Sequence, residues 1–133
     1  MRRIPGHIGC FPLPDGRFGF CRLLTDACAA FYRHIVETET DLLQTEEYAF
    51  TVGVHDSAVR QMKLVQKRPY QDIAEITAPP MKIRDPITGA YSIYHHGEIT
   101  PAAESECAGL ETCAVWELHP VIDRLLGNTK WNV

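Results

Sequence analysis

The strongest local pattern of apolar and polar positions lies over His7 to Leu24, HIGCFPLPDGRFGFCRLL, where two short apolar runs flank Pro14-Asp15-Gly16. Asp-Gly favours a tight reversal because glycine accepts positive φ without steric cost, while Pro14 pre-sets its own φ. The pattern therefore predicts a β-hairpin. On its second arm Phe18, Phe20 and Arg22 fall on one side and Gly19, Cys21 and Leu23 on the other. Pro12 has no N–H to donate, which predicts an edge position for the first arm.

Thr25-Asp26 reads as a turn, and Ala27 to Val36 (ACAAFYRHIV) as a third strand extending the hairpin into a meander. Its alanines would also permit a helix, but Phe31, Tyr32, Ile35 and Val36 favour extended backbone. In YAFTVGVH, Tyr48, Phe50, Val52 and Val54 are spaced to share one face of a half-buried strand. Asp56-Ser57 resembles a cap for a short turn before Met62-Lys63-Leu64-Val65, another strand candidate. Four prolines (Pro69, Pro79, Pro80, Pro86) divide the next region into loop and brief extended pieces. Ile87 to Ala90 reads as a turn, and Tyr91 to Thr100 as a strand that Gly97 bends or ends. Pro101 to Glu106 is a connection, and Thr112 to Trp116 a last strand. Residues His119 to Gly127 suit a short helix, with Pro120 in its first turn, Val121, Ile122 and Leu125 as its buried stripe, and Gly127 closing it.

These elements predict a β-rich α+β fold: a bent antiparallel sheet or half-open barrel of about five to seven strands, with a short C-terminal helix. No repeat or boundary divides the chain, so residues 1–133 are expected to form a single domain.

Charge changes the picture in two places. Glu37 to Glu47 carries five acids (Glu37, Glu39, Asp41, Glu46, Glu47) and no base, with Leu42 and Leu43 able to anchor one helical turn. Between Arg60 and Arg84 the sign reverses: Arg60, Lys63, Lys67, Arg68, Lys82 and Arg84 face only Asp72 and Glu75. The acidic run suits docking of a basic protein, by speeding and orienting encounter. The basic segment is an alternative partner for it within the fold. A net charge of −4 gives no general attraction to nucleic acid. Met1-Arg2-Arg3 is followed at once by Ile4-Pro5-Gly6 rather than an apolar stretch, so no export signal is expected. No apolar run reaches the ~20 residues of a spanning helix, and a cytoplasmic location without membrane contact follows as the expectation.

The five cysteines, Cys10, Cys21, Cys28, Cys107 and Cys113, are odd in number and form no CxxC pair, which favours buried reduced thiols over a disulfide framework. Six histidines (His7, His34, His55, His95, His96, His119) include neither HExxH nor zinc-type spacing with cysteine. His95-His96 is the best candidate, yet strand neighbours point to opposite faces. There is no GxSxG elbow and no phosphate-cradling glycine loop. Glu104, Glu106 and Glu111 fall on loops, where solvation accounts for them. No catalytic residue, metal or cofactor is expected.

The opening from Gly6 to Leu24 resembles the start of the immunity protein 26 family of bacterial polymorphic toxin systems, whose members begin with a glycine, an apolar strand, a Pro-Leu-Pro-Asp-Gly-like turn and an aromatic-glycine strand. Ala30-Phe31-Tyr32 and Phe50 to Val54 look like later strands of that family. Gly109-Leu110-Glu111, Ala114-Val115-Trp116, His119 and Asp123-Arg124-Leu125 look like its closing strand and helix. In place of an expected tryptophan and glycine, this chain has Met62 to Lys67. The resemblance implies binding and neutralising a co-encoded toxin, with no catalysis and no cofactor. On that reading Glu37, Glu39, Asp41, Glu46 and Glu47 are the candidate toxin-facing residues, and the toxin is expected to be basic. Two other readings stay open: a small hydrolase or transferase with a Cys/His site, and a ligand-binding β-domain or adaptor with a deep apolar pocket.

Overall fold

The computed structural model describes residues 1–38 and 46–131. In chain order the strands are β1 (His7–Pro12), β2 (Phe18–Leu23), β3 (Cys28–Tyr32), β4 (Tyr48–Val54), β5 (Lys63–Lys67), β6 (Met81–Arg84), β7 (Tyr91–His95), β8 (Glu98–Ala102) and β9 (Val115–Trp116). Helix α1 (Asp56–Arg60) joins β4 to β5, and α2 (Leu118–Leu125) follows β9. Six strands form one sheet in the order β5-β1-β2-β3-β4-β9, and β6-β7-β8 form a second. The expected β-rich fold with its C-terminal helix is present. The larger sheet runs from β5 to β9 without closing into a barrel.

The leading hairpin forms as its pattern predicts, with Cys10 opposite Phe20 and Pro12 opposite Phe18. Gly16 has φ 86°, and the Asp15 carboxylate accepts from the Arg17 N–H at 3.0 Å and from its guanidinium at 2.6 and 2.8 Å. The edge assignment from Pro12 is corrected: β1 lies inside the sheet, paired to β5 through His7, Ile8, Gly9 and Cys10. Pro12 lies beyond that pairing, so its missing N–H removes no bond to β5. The β2–β3 connection is a three-residue loop, Thr25 to Ala27, closed by the Leu24 N–H donating to the Cys28 carbonyl at 2.9 Å, with Asp26 and Ala27 left-handed at φ 55° and 57°.

Both faces of the larger sheet are covered, and this is why alternate residues of one strand are buried in different clusters. One face carries Phe11, Cys21, Leu23, Phe31, Phe50, Val52 and Val54, closed by Ala58 and Val59 of α1 and Leu118 and Val121 of α2. The opposite face carries Ile8, Cys10, Phe20 and Tyr32 near the hairpin. Further along it, Leu24, Cys28 and Ala30 pack with Ile76, Ala78 and Met81, which seats the smaller sheet through β6.

Four further expectations change in detail. Tyr48 does not share the face of Phe50, Val52 and Val54. Register shifts by one residue between Phe31 and Tyr32, so Phe31 faces Phe50 while Tyr32 faces Tyr48, and Tyr48 packs on the other side. A β-bulge of this kind reverses side-chain direction without breaking the strand. Second, the single strand expected over Tyr91 to Thr100 is two: His96 (φ 52°) and Gly97 (φ 79°) turn it into the β7–β8 hairpin. Third, β9 is only two residues long and runs parallel to β4, pairing Gly53 with Val115 and making the sheet mixed rather than wholly antiparallel. Fourth, Glu111 is not merely solvated. Its carboxylate takes both Nη groups of Arg124, whose guanidinium lies 4.1 Å from the centre of the Phe50 ring.

Candidate functional site

Arg22 is the residue around which the site builds. The alternation that buries Phe20 on one face of β2 places Arg22 on that face too, and it is 1% exposed. A guanidinium so placed must find acceptors, because an unpaired buried charge is far more costly than an unpaired polar group. Its Nε donates to the Gly6 carbonyl at 3.3 Å and its Nη2 to the carbonyls of Arg68 and Pro69 at 3.5 and 3.3 Å. Its Nη1 lies 3.7 Å from Oε1 of Glu46.

Glu46 gathers the rest of the cluster. Its Oε2 accepts from the Tyr32 hydroxyl at 2.6 Å and the Tyr48 hydroxyl at 2.5 Å, and Arg68 donates to its Oε1. The two tyrosine rings lie 5.0 Å apart, brought together by the bulge that turns Tyr48 over. Arg68 also donates to the Gln66 amide oxygen at 3.1 Å. Burial alone would raise the Glu46 carboxyl, but the two hydroxyls and Arg68 outweigh it and hold the group below its ordinary value. Desolvation, with the bond to Glu46 added, pushes the Tyr48 hydroxyl up to about 12. The Tyr32 hydroxyl is raised for the same two reasons.

This clamp holds one end of the acidic segment; the other end is held by backbone. There Phe18 and Val36 exchange N–H to carbonyl bonds at 2.7 and 3.1 Å, while at the clamp's own end the Arg33 N–H donates to the Glu47 carbonyl at 2.9 Å. Of the five acids expected to face a partner, Glu37 and Glu47 are exposed and Glu46 is engaged in the clamp. Glu39 and Asp41 lie outside the described residues, as does the helical turn expected at Leu42-Leu43. The basic segment does supply Arg68 to the acidic one. Sequence reasoning missed Arg22 as a member of this site, although a charge within an apolar alternation was the available signal.

Other chemistry-bearing groups lie elsewhere. Four cysteines are buried and Cys113 is exposed. Desolvation raises Cys21 to about 12 and Cys28 to about 11, which keeps both as poorly nucleophilic thiols. The reasoning that set His95 and His96 on opposite faces does not hold, because His96 sits in the turn and the rings lie 3.8 Å apart. Among the described residues no three His, Cys, Asp or Glu side chains are grouped to hold a metal. The two imidazoles border an open cleft of about 760 Å³ floored by Ile73, Ala74, Ala78 and Pro79. At the start of α1, the His55 Nδ1 accepts from the Ser57 N–H at 3.1 Å and the Ser57 hydroxyl donates to Glu117. That arrangement caps a helix and commits the serine proton to a carboxylate.

No protein-family model, no curated protein and no solved structure matches this chain.

Proposed function

We propose that this chain is an immunity-type binding protein that neutralises a basic, co-encoded toxin by occluding it, with Glu37, Glu39, Asp41 and Glu47 contributing to the contact surface. The resemblance of the opening hairpin and closing helix to the immunity protein 26 family supports this reading. The observation that carries it is the anchoring of the acidic segment at both ends. Val36 is bridged to Phe18 on one side, and Glu46 is clamped by Tyr32, Tyr48 and Arg68 on the other. Anchored ends lower the conformational entropy lost when the segment meets a partner, and exposed carboxylates beside them steer a basic surface toward it. Within the proposal Glu46 supports the surface from below rather than touching the toxin.

Co-expression with the protein encoded immediately upstream tests the reading, scored by growth and by co-purification. Rescue of growth together with a stable complex is the expected result. The triple reversal Glu37→Lys, Glu39→Lys and Glu47→Lys spares the clamp and is expected to abolish protection while leaving the fold intact. A toxic neighbour that this chain neither binds nor restrains would overturn the immunity reading. Full protection by the triple variant would remove the acidic surface from it.

A further inference from the structure

A concavity of about 310 Å³ lies between the first residues and the edge strand β5, lined by Met1, Arg2, Ile4, His7, Leu64 and Lys67. The chain builds it in two steps. A turn in which the His7 N–H donates to the Ile4 carbonyl at 3.2 Å folds the N-terminal residues back beside the sheet. The β1–β5 register then sets His7 directly opposite Lys67.

That pairing sets an imidazole and an ammonium side by side on one face of the sheet edge, where cross-strand neighbours interact. Arg2 adds a third basic side chain to the lining, and among the described residues no carboxylate lines the cavity. None of Arg2, His7 and Lys67 has an ion-pair partner among the described residues, in a chain whose net charge is −4. The neighbouring arginine, Arg3, is by contrast paired with Asp56 at 2.9 Å. The remaining lining is apolar: Met1, Ile4 and Leu64, of which Ile4 and Leu64 are large side chains left 39% and 37% exposed.

We infer that this concavity binds a small amphiphilic carboxylate, with the carboxylate against Arg2, His7 and Lys67 and a short aliphatic body against Ile4 and Leu64. Three nitrogen-donor side chains without an ion-pair partner among the described residues fit one anion, and a guanidinium matches a carboxylate in a bidentate manner. The apolar half gives the ligand its body and separates it from inorganic anions. The volume is at the lower end for ligand sites, which suits a free acid of short chain. This site does not depend on the proposed immunity role.

The test uses the whole chain, labelled with ¹⁵N and titrated with sodium octanoate at fixed pH and ionic strength. Saturable shifts of the Ile4, His7, Leu64 and Lys67 amides, with a Kd of about 1 mM or tighter, are expected. Acetate, octanol and inorganic phosphate each offer part of the chemistry and are expected to bind more weakly than octanoate. The double variant Arg2→Gln with Lys67→Gln changes two solvent-accessible side chains, keeps the fold by circular dichroism, and is expected to weaken octanoate about fivefold or more. Absence of saturable shifts, shifts confined to other residues, octanol or phosphate binding as well as octanoate, or undiminished binding by the double variant would each overturn the inference.

Discussion

The Tyr32 hydroxyl donates to the Glu46 carboxylate at 2.6 Å, joining the last residue of β3 to an acid two residues before β4. Removing the carboxylate leaves two tyrosine hydroxyls without their acceptor and takes the nearest acid from the buried Arg22. Glu46→Ala is therefore expected to lower unfolding free energy by about 1–3 kcal/mol. Glu47→Ala, whose side chain is exposed, should stay within about 0.5 kcal/mol of the parent. Urea unfolding of the two variants separates them, and equal effects would deny the clamp its structural role.

The same clamp gives stability a dependence on pH from both sides. Glu46 has a lowered pKa in the folded state, so its contribution is complete above the unfolded carboxyl value of about 4.3. It is lost as pH falls through the lower folded value. Tyr32 and Tyr48 are raised when folded. Their contribution is complete below the unfolded tyrosine value of about 10 and is lost as pH rises above it. Glu46→Gln should flatten the acid limb, and Tyr48→Phe the alkaline one. Melting temperature measured from pH 3 to 11 reads both limbs in one series.

Local chemistry explains which parts of this fold are legible in the sequence. Pro14-Asp15-Gly16 dictates its own reversal, and the flanking strands follow because every residue from Ile8 to Phe11 and from Phe20 to Leu23 has a buried face to occupy. Pro12 misleads because β1 is flanked on both sides while its pairing with β5 ends at Cys10, two residues short of the proline. The inversion of Tyr48 is decided by pairing with Tyr32, a partner 16 residues earlier, and strict alternation cannot foresee an inserted residue. The site divides in the same way. A one-sign run of acids is visible in composition, but nothing local distinguishes Glu46 from Glu47. That difference comes from β2, β3 and Arg68 arriving on one side of the chain.

Gly53 marks where β9 meets the sheet. A Cβ built at Gly53 would lie 2.6 Å from the Ala114 carbonyl oxygen, a backbone atom that moves only with its chain. Gly53→Ala should therefore push the 114–116 segment away from β4. It should also loosen Trp116, which packs near the Phe50 ring at a centroid distance of 6.4 Å. A loss of about 1–3 kcal/mol is expected from such overpacking, with a change in tryptophan fluorescence. Gly97→Ala, with open space around its Cβ position but φ of 79°, would carry only the cost of left-handed backbone, about 1–2 kcal/mol. Fluorescence that moves equally in both variants would count against the close approach at Gly53.

Thiol chemistry gives the last separation. Cys113 is exposed, whereas Cys10, Cys21, Cys28 and Cys107 are buried. Only a thiolate attacks a disulfide reagent, and burial both lowers the thiolate fraction and blocks access. Cys21 is fully buried in β2, between β1 and β3, with its pKa raised to about 12 by desolvation, and its Sγ is 3.3 Å from the Met62 Sδ. Native protein treated with an aromatic disulfide such as Ellman's reagent should release one equivalent quickly, and the other four only as it unfolds. Cys113→Ser should remove the fast phase and leave the slow one unchanged. Cys28 is the sharpest check, because it lines the same cavity of about 250 Å³ as Cys113. A second fast equivalent assigned to Cys28 would mean that this cavity opens to a bulky reagent, and that burial in the β3 face does not protect its thiol.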